Sequence, residues 1–272
     1  MKIEEYRKLC QKNENENYFF DKYVFRKISI FFTIFFTFTG VNANTVTFLS
    51  LLCSIGAAWF ALFNTDTALS LVVILIFLYY ILDHVDGELA RYLINKGKMK
   101  PSLVGAYFDQ LVHKYSANLI LFSFGYAVFT EYGYTWALFT GFICCIGLSG
   151  FPNLLNYKVI LQKIITDPNI MQKAEYKELL DRCDQKGNSI KIIQKGLGLK
   201  KYKKIAGEIL VFPGGVLLCA IAALLDLVFK DIIYMGFGFN FRLLLIVGLT
   251  PVYLLKVVLD WRKWMKQLKN AG

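Results

Sequence analysis

The 272-residue chain has six cysteines but no CxxC pair. Cys10, Cys53, Cys144, Cys145, Cys183 and Cys219 are scattered, and four of them fall in apolar runs, where a small buried hydrophobe is the ordinary role. No zinc site or disulfide framework is readable from that spacing. The N-terminal stretch MKIEEYRKLCQKNENENYFFDKY is charged and lacks an early apolar core, so it is not expected to be a secretory signal. No RNA- or DNA-binding motif accompanies the net charge of +11, which argues against nucleic acid as a partner. No internal repeat is visible, as many transporters would show.

What the chain has in quantity is apolar surface. It is 56% hydrophobic and 16% aromatic, with a mean hydropathy of +0.45. A soluble domain of this length would be less apolar, so the expected class is an all-α integral membrane protein. Apolar segments of roughly 20 residues, long enough to span, occur at 44–63, 68–91, 104–130, 135–157, 208–229 and 241–259. The expected architecture is a six-transmembrane-helix bundle. Pro213 with Gly214 and Gly215 predicts a kink at the start of the fifth span. An earlier run, ISIFFTIFFTF (28–38), is too short to span at about 1.5 Å per residue. Following KYVFRK, it reads as an N-terminal interfacial amphipathic helix, with a tilted or re-entrant piece as the alternative.

Positive charge is distributed unevenly along these segments. Of the 31 lysines and arginines, all but Lys114, Lys230 and Arg242 fall in residues 1–43, 91–100, 158–204 or the end from Lys256. The links NTDT (64–67) and EYGY (131–134) carry none. This asymmetry predicts both termini on the cytoplasmic side. The domains expected are a cytoplasmic N-terminus with the interfacial helix (1–43), a six-span domain (44–260) and a basic tail (261–272). The polar insert 161–206 is expected to hold one or two short amphipathic helices. It is either a solvated, topology-setting loop or a contact for anionic lipid.

Within this frame, LYYILDHVDGELARY (78–92) puts Asp83, Asp86, Glu88 and Arg91 at the inner end of the second span. Asp86, Gly87 and Ala90 follow Asp83 at i+3, i+4 and i+7 and share its helical face. GAYFDQLVH (105–113) opens the third span at the same side, with Gly105, Asp109 and His113 on one face. Packed together, the two helices bring three aspartates and a histidine to one place. Neighbouring carboxylates repel unless a cation joins them, and an oxygen-rich set suits Mg²⁺, Mn²⁺ or Ca²⁺. The small residues Gly87, Ala90 and Gly105 allow close helix packing or leave room for a flat ligand. Arg91 is a forked donor suited to phosphate. The alternative is that these charges only mark topology or form structural pairs. His84 lies off this face, and Glu88 reads as a solvated or structural carboxylate. Lys114 either assists the site or snorkels to the interface.

DHVDGELAR with GAYFDQLVH resembles the signature of the CDP-alcohol phosphotransferase (CDP-alcohol phosphatidyltransferase) family, D-x-x-D-G-x-x-A-R, a spacer, then G-x-x-x-D-x-x-x-D. Asp83, Asp86, Gly87, Ala90 and Arg91 match the first half; Gly105 and Asp109 match the second. GVNANTVTFLS (40–50) is similar to the family's G-x-x-P-N-x-x-T element, with Asn44 and Thr47 in place and Ala43 where proline is usual. The spacer from Arg91 to Gly105 is longer than usual, and His113 replaces the last aspartate.

The resemblance implies metal-dependent transfer of a substituted phosphate group from a CDP-linked donor, CDP-diacylglycerol or a CDP-alcohol, to an alcohol hydroxyl. CMP is released, in phospholipid or related membrane-lipid synthesis. It implies one or two ions of Mg²⁺ or Mn²⁺ on Asp83, Asp86, Asp109 and His113. Nucleotide and diphosphate would be held by Asn44, Thr47, Asp83, Gly87, Ala90, Arg91 and Gly105. In the family the last aspartate is held to be metal ligand and general base. A histidine can serve as either, although it suits Mn²⁺ better than Mg²⁺. The partners implied are the donor, an alcohol or lipid acceptor, membrane lipid and a second copy of the chain as homodimer. Ser149, Asn153 and Asn156, with only Lys158 and Lys256 as nearby cations, favour an uncharged polyol or amino alcohol as acceptor. The competing readings are an aspartate-rich membrane prenyltransferase, a cation transporter and an inactive family homologue.

Overall fold

The computed structural model describes residues 3–11, 24–100, 103–148, 214–229, 232–234 and 237–271. The expected insert at 161–206, the kink at Pro213, and Ser149, Asn153, Asn156 and Lys158 lie outside them. Among the described residues the chain is helical throughout, apart from one short ribbon. In chain order the helices are α1 (Ile3–Cys10), α2 (Arg26–Thr39), α3 (Ala43–Phe60), α4 (Asp66–Asn95), α5 (Leu103–Tyr132), α6 (Thr135–Leu148), α7 (Gly214–Phe229) and α8 (Phe241–Ala271). Strands β1 (Ile232–Tyr234) and β2 (Phe237–Phe239) pair antiparallel between α7 and α8, with Ile233 opposite Gly238.

Local chemistry sets several boundaries. Asn42 caps α3, its side chain accepting from the Thr45 N–H at 2.8 Å. Thr65 caps α4 in the same way through Ala68 N–H. Gly40 ends α2 in the left-handed region at φ 72°, which an L side chain rarely adopts.

The described residues of the six long apolar segments fall largely within helices α3 to α8. Among the described residues, three helices are long and apolar enough to cross a membrane, namely Ala43–Phe60, Asp66–Asn95 and Phe241–Leu259. Helix α5 is long, but Asp109, His113, Lys114, Asn118 and Glu131 dilute its apolar character. The apolar parts of α6 and α7, Thr135–Gly147 and Gly215–Phe229, are shorter.

The core runs between α3, α4, α5, α6, α7 and α8, through Ala57, Val72, Ile76, Tyr79, Ile120, Phe124, Cys144, Cys219, Ile246 and Tyr253. Helices α5 and α6 approach backbone to backbone. A Cβ on Gly125 would sit 2.8 Å from the Ala137 carbonyl oxygen and 3.1 Å from Gly141 Cα. Outward-facing positions are apolar as well: Phe31, Phe35, Phe38, Trp59, Ile74, Phe139 and Leu254 are exposed. An apolar exterior around a packed interior is the arrangement lipid selects. Helix α2 shows it in small. Ser29 and Thr33 turn inward and are fully buried, while Phe31, Phe32, Phe35 and Phe38 are exposed.

At the end where α3 meets α4 and α7 meets α8, one cation ties the bundle. Arg242 is 1% exposed. It donates through Nε to Asp226 at 2.6 Å, through Nη1 to Asn64 Oδ1 at 2.9 Å and through Nη2 to Glu131 at 3.1 Å. Asn240 donates to the same Glu131 oxygen at 2.9 Å. Three donors and three acceptors from four segments leave this guanidinium well satisfied.

Candidate active site

The C-terminal third of α4 and the N-terminal third of α5 lie at the opposite end of α4 from Arg242. About 25 Å of helix separates Asp66 from Asp83 at the usual rise per residue. Here the helical periodicity brings Asp83, Asp109 and His113 together. His113 stands between two carboxylates. Its Nδ1 is 3.1 Å from Asp83 Oδ1 and its Nε2 is 2.9 Å from Asp109 Oδ1. Asp83, Asp109 and His113 each offer a ligand atom, and the three atoms lie within 4.8 Å of one another. All three side chains are half-buried, so the cluster opens to one side. Two carboxylate oxygens and an imidazole nitrogen at this separation fit a divalent cation.

Asp86 is placed differently from its expected role as an equal partner. It is 6% exposed and is not one of the three converging ligands. Thr47 on α3 donates its hydroxyl to Asp86 Oδ2 at 2.7 Å and also to the Ala43 carbonyl at 3.1 Å. Asp83 and Asp109 remain near enough to act on it electrostatically. Asp86 is thus a second, deeper carboxylate behind the open cluster, tied to α3. Thr47 contributes by holding Asp86. Asn44, one turn before Thr47, is exposed on the first turn of α3, whereas Asn42 is the helix cap.

The small residues behave unequally. A Cβ on Gly87 would lie 3.3 Å from Arg91 Nη1 and 3.6 Å from Nη2. The space that Gly87 leaves is therefore occupied by the protein's own guanidinium. Ala90 and Gly105 are half-buried on α4 and α5. Arg91 donates through Nε to the Cys10 carbonyl of α1.

Several contributors were not evident from the motifs. Tyr79, fully buried one turn before Asp83, places its hydroxyl 3.5 Å from His113 Nδ1. Behind it Ser54 of α3 and Ser116 of α5 share a hydrogen bond at 2.7 Å. The i−4 spacing of Tyr79 from Asp83 was the available signal. Glu88, which the sequence reads as solvated or structural, is structural. It is 1% exposed and accepts from Gln11 Nε2 at 2.9 Å, Ser29 Oγ at 2.9 Å and Thr33 Oγ1 at 2.7 Å. Three donors satisfy a carboxylate that would otherwise be costly to bury. His84 lies off the site as its helical position implied, its Nδ1 3.0 Å from the Tyr80 carbonyl and its ring stacked on Tyr80. Lys256 of α8 is buried and donates to the Gly147 carbonyl at 3.0 Å.

Residues 40–174 match the family model for CDP-alcohol phosphatidyltransferase. The chain belongs to this family. The matched segment starts at the Gly40 turn and takes in α3, α4, α5 and α6, so the whole cluster falls inside it. Membership brings the family's general chemistry, transfer of a phosphate-containing group between a CDP-alcohol donor and an alcohol acceptor, carried out by an integral membrane enzyme. No curated protein matches the chain.

Beside the cluster runs an apolar groove of about 700 Å³ between α2, α3 and α4, with Phe32, Phe36, Leu49, Leu52, Leu75 and Leu82 among its walls. Leu82 precedes Asp83, and Leu49 follows Thr47 by two positions, so the groove and the carboxylates share the same stretches of chain.

Proposed function

We propose that the chain transfers a substituted phosphate group from a CDP-linked donor to an alcohol hydroxyl, with release of CMP, in membrane-lipid synthesis. The observation that carries this reading is the convergence of Asp83, Asp109 and His113 from consecutive helices, with Asp86 behind them, inside the family segment. Asp83, Asp109 and His113 would hold a divalent ion, Mn²⁺ or Mg²⁺, with Asp86 shaping the field behind it. Such an ion supplies charge neutralisation for a diphosphate and Lewis acidity at phosphorus.

The protein's own groups account for the rest. The acceptor oxygen forms a bond to the β-phosphorus. The bond from that phosphorus to the bridging oxygen breaks, and CMP departs with the electron pair. The hydroxyl proton passes to a base at the cluster. His113 is our candidate where Asp83 and Asp109 alone carry the ion: its lone-pair nitrogen then takes the proton, whereas a metal-bound neutral imidazole has its other nitrogen protonated and no lone pair left to accept one. Arg91, through Nη1 and Nη2, meets the diphosphate near Gly87. The lipid partner's acyl chain lies in the groove beside Leu82, where nothing polar competes for it.

The apolar exterior supports the six-span topology and the interfacial placement of α2 as parts of the same reading. The distribution of lysine and arginine supports a cytoplasmic site. The test is CMP release from purified protein with Mn²⁺ or Mg²⁺. The screen takes CDP-diacylglycerol with several alcohols, then CDP-choline and CDP-ethanolamine with diacylglycerol. One combination should release CMP in step with lipid product, and Asp86→Asn should abolish it. Unchanged turnover in that variant would remove the site from the mechanism.

A further inference from the structure

The end of a helix leaves its last carbonyls without intrahelical donors. In α1 two of these are taken by side chains of α4. Asn95 Nδ2 donates to the Leu9 carbonyl at 2.6 Å, and Arg91 Nε donates to the Cys10 carbonyl. Gln11, the next residue, donates through Nε2 to Glu88 Oε1 and to the Arg26 carbonyl, each at 2.9 Å. The rings of Tyr6 and Tyr92 stack with centroids 5.4 Å apart, and Tyr6 and Cys10 are buried. The contacts named on α4 all fall between Glu88 and Asn95, directly after Asp86. Helix α1 is seated on the segment that carries the motif arginine.

This seat governs how Arg91 stands. An arginine free to rotate samples many rotamers, and fixing one costs side-chain entropy. Here Nε is fixed by α1, and Glu88 lies close enough to attract the guanidinium electrostatically. Nη1 and Nη2 lie against Gly87, in the space a Cβ there would take. The nitrogen that α1 uses is not one of these two, so docking of α1 and binding of an anion at Arg91 do not compete.

We propose that α1 is a positioning element for the donor's diphosphate. By holding Arg91 through the Cys10 carbonyl, it aims the two Nη groups, so that α1 docking and occupation of the site reinforce each other. The inference rests on the proposed reading of Arg91 as a diphosphate ligand. Thermodynamic linkage then requires the effect to run both ways.

Cys10 is a built-in reporter. Its thiol is fully buried, and burial raises its pKa to about 12, with Glu88 adding to the rise and Arg91 opposing it. A maleimide therefore reacts with Cys10 only when α1 lifts away. In the full chain in nanodiscs, CDP with Mn²⁺ should slow labelling at Cys10 severalfold, read by peptide mass spectrometry. The Gln11→Ala/Asn95→Ala variant should label faster without ligand. It should also raise KM for the CDP donor about tenfold with kcat within about twofold, the pattern of lost ground-state binding.

A purely structural role for α1 would lower yield or melting temperature but leave the KM-to-kcat split and the ligand protection unmoved. CDP that leaves wild-type labelling unchanged, or speeds it, would overturn the proposal. So would an unaltered KM in the double variant. If no CDP donor gives CMP, the proposed reaction fails, and the labelling arm still decides whether α1 and the anion are coupled.

Discussion

His113 Nδ1 lies 3.1 Å from Asp83 and His113 Nε2 lies 2.9 Å from Asp109, so one ring links the carboxylates of two consecutive helices. A neutral imidazole donates through one nitrogen only. The other nitrogen then faces a carboxylate as a second acceptor, and a cation between them relieves the conflict. A nitrogen ligand favours Mn²⁺ over Mg²⁺, which prefers oxygen throughout. Chelation with EDTA should therefore stop CMP release, and Mn²⁺ should restore it at lower concentration than Mg²⁺. His113→Ala should weaken Mn²⁺ binding by about tenfold or more, measured from free Mn²⁺ by EPR. His113→Asp should move the preference toward Mg²⁺. Equal Mn²⁺ affinity in wild type and His113→Ala would exclude the ring from the metal site.

The 2.7 Å contact from Thr47 to Asp86 is the tie between α3 and the deeper carboxylate. A hydrogen bond to a charged group is worth about 1.5–3 kcal/mol. If Asp86 must keep its position for catalysis, Thr47→Ala should lower kcat/KM by roughly tenfold to a hundredfold, while Thr47→Ser keeps most of it. Steady-state CMP release measures both. Equal losses in the two variants would point to the methyl group and not the hydroxyl.

The proposed topology is open to a labelling test. With native cysteines replaced, a cysteine at Lys98 should react with an impermeant maleimide only after cells are permeabilised. One at Asp66 should react in intact cells. Both positions are exposed, so folding does not mask either. The reverse pattern would invert the orientation and move the site to the other face.

The parts of the site that lie close in sequence were legible from it. Asp83 and Asp86 share a turn, Asp109 and His113 are four apart, and helical period alone put each pair on one face. Long-range partners were not. Glu88 meets Gln11, Ser29 and Thr33, whose separations from it run from 55 to 77 positions. Nothing local says that a polar residue in α1 or α2 faces inward. The cap of α3 at Asn42 was not legible either, because capping depends on where the backbone leaves the extended region and motif alignment does not report that. The β1–β2 ribbon fell between two apolar runs and carried no turn signal strong enough to separate it from them. Arg242 is one of three cations that fall outside the four basic stretches of the sequence. Its partners Asp226, Glu131 and Asn64 sit in three other segments, and only packing brings them together.

That cluster yields the sharpest separation of stability from activity. Arg242 and Asp226 are almost fully buried, and removing one member of a buried pair leaves the other charge uncompensated. Arg242→Ala should therefore cost about 3–5 kcal/mol. The knot lies at the far end of α4 from Asp83, so the variant that remains folded should keep its KM for donor and its Mn²⁺ affinity. Thermal unfolding in detergent, followed by intrinsic fluorescence, should show a clear fall in Tm. Combining Arg242→Ala with Asp226→Asn should cost less than the sum of the single changes, since the second removes the carboxylate that the first leaves stranded. Additive losses in that cycle would mean the two side chains stabilise the bundle through separate contacts.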